Sequence, residues 1–186
     1  MVPLMSLWIP IVLSAVLVFI ASSVIHRFLT YHKGDFGKVP YEAGVRDALR
    51  NAQVPPGDYA IPYAGSAKAM GEQGWIDKAT EGPNAFLTVM PNGIPSTGKS
   101  LIQWFVYCIV IGIFAAYVAG HAVQPGEDYL AAFRYVGTVA FVGYALALPQ
   151  NSIWYHRNWG ATLRSMFDGL VYSLLTAGVF GWLWPF

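Results

Sequence analysis

Apolar side chains fill four long stretches of the chain, and the polar positions collect between them. From Val2 to Ile25 no side chain is ionisable, and a helix of about 20 residues at 1.5 Å each covers a hydrocarbon core of about 30 Å. Residues 4–27 therefore predict a first transmembrane helix. A secretory signal would need basic residues ahead of the apolar run and a small-x-small cleavage site behind it. Neither is clear here, so the segment is expected to be retained. The uncharged run SLIQWFVYCIVIGIFAAYVAG at 100–120 predicts a second span. Residues 129–148, with the one charge Arg134, predict a third. Residues 161–184, with Arg164 and Asp168 near their start, predict a fourth. Pro125-Gly126 then Glu127-Asp128 ends one helix and starts the next, which makes spans two and three a helical hairpin.

Residues 28–99 are of a different kind. Seven prolines between 40 and 95 break the segment repeatedly, too often for one large core. PYEAGVRDALRNAQ at 40–53 predicts a helix with Pro in its first turn and Val45, Ala48, Leu49 and Ala52 along one stripe. FLTVM at 86–90 predicts a strand. The expected fold class is an all-α membrane protein: four transmembrane helices and a compact, mostly irregular cytoplasmic loop between helices one and two. Tyr59, Tyr63, Trp75 and Phe86 of that loop are expected to meet lipid headgroups or a partner.

Composition agrees with this pattern. Of 186 residues, 55% are apolar and 11% charged, with a net charge of +1. Soluble domains carry about 25% charge, disorder requires far less apolar content, and nothing here is basic enough for nucleic acid. One cysteine, Cys108, can form neither an intrachain disulfide nor a cysteine-rich metal site. Arg27, Lys33, Lys38, Lys99, Arg157 and Arg164 flank the connections on one side and only Arg134 lies toward the other. The positive-inside rule then places the chain in a bacterial inner membrane with both ends on the non-cytoplasmic side. Trp8, Trp182 and Trp184 would lie at the outer interface, and Trp104, Trp154 and Trp159 at the inner one.

One formal motif is complete: Gly93-Ile-Pro-Ser-Thr-Gly98-Lys99-Ser100 spells the phosphate loop G-x-x-x-x-G-K-S. A phosphate loop needs a parallel sheet, a second acidic residue for Mg²⁺ and a solvated helix behind the Lys. An apolar span follows instead, and Pro95 removes an N–H from the cradle. Lys99 reads more simply as a snorkelling anchor, so the phosphate-loop reading is disfavoured.

Helix packing gives a clearer signal. Small residues recur every fourth position in span two, at Cys108, Gly112, Ala116 and Gly120. They do so again in span four, at Ala161, Ser165, Gly169, Ser173, Ala177 and Gly181. Such faces let helix backbones approach closely in lipid. The expected arrangement packs spans two and four on each other; the alternative docks one stripe on a partner subunit. Arg164 and Asp168, four apart, are expected to form an intramembrane ion pair. His26 and His156, on different helices near one interface, are the one axial pair that a haem or metal could use. No catalytic set is visible, and no cofactor is predicted apart from that haem alternative.

The stretches LSAVLVFIASSVIH at 13–26, AFLTVMP at 85–91, FDGLVY at 167–172 and GWLWP at 181–185 give the chain its resemblance. It resembles small integral membrane proteins of environmental bacteria to which no activity is assigned. That resemblance implies a membrane location and no mechanism. The leading functional expectation is a non-catalytic accessory or structural subunit of a larger membrane complex, respiratory or photosynthetic for instance. It would sit in the lipid bilayer and pack on other subunits or on itself through its small-residue faces. A haem- or metal-binding redox protein using His26 and His156 is the alternative, and a small transporter the weaker one.

Overall fold

The computed structural model describes residues 1–185. In chain order the helices are α1 (Trp8–Phe28), α2 (Glu42–Asn51), α3 (Ala67–Met70), α4 (Gln73–Glu81), α5 (Thr97–Ala122), α6 (Tyr129–Phe141), α7 (Pro149–Tyr155) and α8 (Trp159–Trp182). Strands β1 (Gly57–Ile61) and β2 (Ala85–Val89) complete the regular structure. The chain divides into two compact units, Lys38–Pro95 and the remainder.

In the larger unit α5, α6 and α8 begin where side chains satisfy free N–H groups of a first turn. Asp128 accepts from the Ala131 N–H at 2.8 Å, and Asn158 from that of Gly160 at 2.7 Å. Leu4–Leu7 forms a 3₁₀ turn ahead of α1, and Tyr31–Gly34 forms another after it. The third predicted span does not stop at residue 148. Helix α6 continues through a π-helical turn, Val142–Leu146, into α7, so the helical run reaches Tyr155. Pro149 permits this because it falls in the first turn of α7, where its missing N–H breaks no bond. In the wide turn the Gly143 carbonyl accepts from the Tyr107 hydroxyl at 2.7 Å.

Packing forms two layers. Leu7, Ile11, Ala115, Ala119, Val136 and Phe180 belong to one, and Ala15, Val18, Ile111, Ala140, Tyr144 and Tyr172 to the other. Helix α8 is the most enclosed, with eleven of its 24 residues buried. Its neighbours are α6 and α1. The two small-residue faces are indeed contact faces, but not with each other. A Cβ added at Gly112 would lie 3.3 Å from Ile11, and one at Gly120 2.7 Å from the Val2 carbonyl. A Cβ at Gly169 would lie 2.9 Å from Ala145, and one at Gly181 2.7 Å from the Tyr129 ring. The α5 stripe therefore packs on α1 and the segment before it, while the α8 stripe packs on α6 and its π turn. The expected α5–α8 seam is replaced by these two. Ala116, Ser173 and Ala177 are buried along the same faces, and the Ser165 hydroxyl turns back to the Ala161 carbonyl.

The two ends and the 121–128 turn meet at one end of this unit. The Met1 amine donates to Gln124 at 3.0 Å, Val2 N–H to the Gly120 carbonyl at 2.8 Å, Gly126 N–H to the Pro185 carbonyl at 2.9 Å, and the Trp184 indole to the Gln124 carbonyl at 3.1 Å. Trp184 is thereby buried instead of facing lipid. Trp104 likewise turns inward, donating to Ser22 Oγ at 2.8 Å. Among the described residues three helical runs, Leu4–Phe28, Thr97–Ala122 and Tyr129–Tyr155, are long and apolar enough to cross a membrane. Helix α8 is comparably long but more polar.

The smaller unit is less irregular than the proline count predicts. It holds α2, α3, α4 and an antiparallel β1–β2 pair in which Tyr59 faces Leu87. Pro55, Pro56, Pro62, Pro83 and Pro91 fall at element boundaries and leave the elements themselves intact. The Thr88 hydroxyl donates to Asp58 at 2.6 Å across the two strands. No residue of this unit is buried.

Candidate functional site

The site is built at the other end of α1 from the gathered termini. Helix α1 closes at Phe28, and the Tyr31–Gly34 turn folds the next residues back over α8. This brings Tyr31, His32 and Asp35 onto Arg164 and Asp168, which stand one helical turn apart on α8. His26, in the last turn of α1, joins them.

His32 occupies the centre. Its Nε2 lies 2.8 Å from Asp168 Oδ2 and its Nδ1 2.7 Å from Asp35 Oδ2. The Arg164 guanidinium grips Asp35 Oδ1 from Nε at 2.8 Å and Nη2 at 2.5 Å. Tyr31 donates its hydroxyl to Asp168 Oδ1. His26 Nδ1 lies 3.0 Å from the Ser22 carbonyl, and its Nε2 lies 4.0 Å from Asp168 Oδ2. The two imidazoles stack, with centroids 4.8 Å apart and planes within 10°.

The electrostatics follow from this geometry. Burial works to raise the Asp35 carboxyl, but the hydrogen bonds from His32 and Arg164 and their charges overcome it and hold the group below its ordinary value. Burial, reinforced by the neighbouring Asp168 carboxylate, pushes the Tyr31 phenol far above its own, so the phenol is fixed as a donor. Asp168 is buried in the helix bundle and tolerated there because both of its oxygens are engaged.

The expected Arg164–Asp168 pair does not form. Each takes a partner from the 31–35 turn instead, Arg164 binding Asp35 and Asp168 binding Tyr31 and His32. His26 meets His32 and Asp168. His156 ends α7 in a left-handed conformation. Gly93 has φ +113 in the segment after β2, and Gly98, Lys99 and Ser100 lie in the first turn of α5. The sheet before them is an antiparallel pair, whereas a phosphate loop rests on a parallel sheet.

Three side chains, His26, His32 and Asp168, offer ligand atoms within 4.8 Å of one another. Sequence reasoning missed His32, Tyr31 and Asp35 because each acts across more than 120 residues. The available signal was the unusual density of YHKGD directly after an apolar span. Compared with family models, curated proteins and solved structures, the chain matches none.

Proposed function

We propose that the protein is a four-span, non-catalytic subunit of a larger membrane assembly, and that the 38–95 lobe is its docking element. The observation that carries this reading is that the lobe buries none of its residues. A unit of this size rarely supports itself without a dense core, a disulfide or a metal, and the one cysteine lies elsewhere, on α5. Its apolar side chains instead point outward: Tyr63, Met70, Phe86, Met90 and Ile94 are all more than half exposed. A second protein surface would supply the missing interior. The small-residue helix faces do not serve this purpose, since the chain fills them itself.

Crossing by α8 is supported by its length and by its enclosure: a helix shielded by α1 and α6 can carry Arg164 and Asp168 that a lipid-facing helix could not. Lys33, Lys38 and Lys99 around the lobe favour its placement on the cytoplasmic side of a bacterial inner membrane, with both ends outside. The redox alternative would draw on ligand-type side chains at His26, beside which His32 and Asp168 stand. The test is photo-crosslinking from position 86 or 94 in native membranes. A discrete adduct with another polypeptide, or with a second copy, is expected. Adducts to lipid alone, from a chain that runs as a lone monomer in mild detergent, would overturn the reading.

A further inference from the structure

We propose that His26 Nε2, His32 Nε2 and Asp168 Oδ2 form a binding site for one divalent first-row transition metal ion of the Zn²⁺ class. This goes beyond the subunit role and does not rest on it. The first reason is the direction of the lone pairs. A carbonyl only accepts, so the 3.0 Å contact with Ser22 fixes the proton of neutral His26 on Nδ1 and leaves a lone pair on Nε2. That nitrogen lies 4.0 Å from a carboxylate oxygen, Asp168 Oδ2. A metal ion held there by His26 Nε2 and Asp168 Oδ2 would also take His32 Nε2 as ligand, releasing the proton that nitrogen shares with Asp168. Protonating His26 would supply a cation only by stacking it in parallel on His32, whose two nitrogens both face carboxylates. A single metal ion serves all three groups.

The second reason is that each ligand already has an orienting partner, which metal sites require. Ser22 holds His26, Tyr31 holds the far oxygen of Asp168, and Asp35, itself clamped by Arg164, holds Nδ1 of His32. Asp35–His32 is the carboxylate–histidine relay that fixes a ring's tautomer and raises its basicity. Imidazole donors favour Zn²⁺, Fe²⁺, Co²⁺ or Ni²⁺ over Ca²⁺ and Mg²⁺. Three protein ligands leave a further position for water, on the side where the His26 side chain is 55% exposed. The widest spacing, 4.8 Å, exceeds the roughly 3.3 Å of a tetrahedral site with 2.0–2.2 Å bonds. Binding therefore draws His26, the exposed ligand, inward.

Co²⁺ is the probe. Titrated into the metal-free full-length protein in detergent, it is expected to give a visible d–d band that saturates at one equivalent and is displaced by Zn²⁺. Zn²⁺ alone is expected to raise the melting temperature. His26→Ala should abolish the band and the Zn²⁺ shift while lowering the metal-free melt only slightly, because that ring is half exposed. Asp35→Asn should weaken Co²⁺ binding by about 10–100-fold. A wild type that binds no more Co²⁺ than His26→Ala, or a band lost with His156→Ala instead, would overturn the site.

Discussion

A methyl group added at the glycines of the bundle meets quite different neighbours. At Gly112 the nearest atom is a methyl of the Ile11 side chain at 3.3 Å, which has to give by only a few tenths of an ångström. At Gly120 it is the Val2 carbonyl at 2.7 Å, and at Gly181 it is the Tyr129 ring and backbone carbonyl, the latter at 2.9 Å. Main chain has nowhere to go, so Gly120→Ala and Gly181→Ala should each cost about 1–3 kcal/mol. Gly112→Ala should be close to neutral, because the gain in helix propensity offsets the contact. Thermal unfolding of the three variants in one detergent checks the contrast. Asp35 gives a second residue-scale expectation. Its carboxyl is held below its ordinary value of 3.8 in the folded chain, so the unfolded state binds protons more readily. The stability it contributes is present above the unfolded value and is lost as pH falls through that value and then through the folded one. Melting curves between pH 6 and pH 3 should fall more steeply for the wild type than for Asp35→Asn.

Among the elements, apolar runs made the long helices legible, and proline and charge located the breaks. The helix expected over 40–53 is present at Glu42–Asn51 and the strand expected over 86–90 at Ala85–Val89, because both carry their own periodicity. What lay beyond local pattern was of two kinds. Helix α7 extends the third run past a proline, since whether Pro149 breaks a helix or opens one depends on a π turn with no sequence signature. The stripe partners were equally hidden. Small residues announce a close approach but not the helix that approaches, so the α5 and α8 faces were recognisable while their seams with α1 and α6 were not. The site was half legible for the same reason. Arg164 and Asp168 stand out as charges in an apolar run, yet their preference for Asp35, Tyr31 and His32 over each other is decided by a turn that folds back more than 120 residues away.

At the scale of the whole molecule, the two units should differ sharply in local stability. Backbone amides of α5, α6 and α8 sit in long ladders around buried side chains, whereas those of 38–95 enclose no interior. Protection from hydrogen exchange tracks such burial. In detergent, peptides from 38–95 should exchange orders of magnitude faster than peptides from the bundle, and slow in native membranes if a partner covers them; mass spectrometry of both preparations measures this. The bonds that join Met1 and Val2, the 120–126 turn, and Trp184 and Pro185 bear on a different quantity, the parity of the chain's crossings. In the proposed reading, a chain whose two ends are fastened to the same turn travels away from that face as often as it returns. An odd number of crossings would part the ends by the thickness of the bilayer and break the bonds that one of them makes with the turn. The count of four in the proposed reading is even and keeps them.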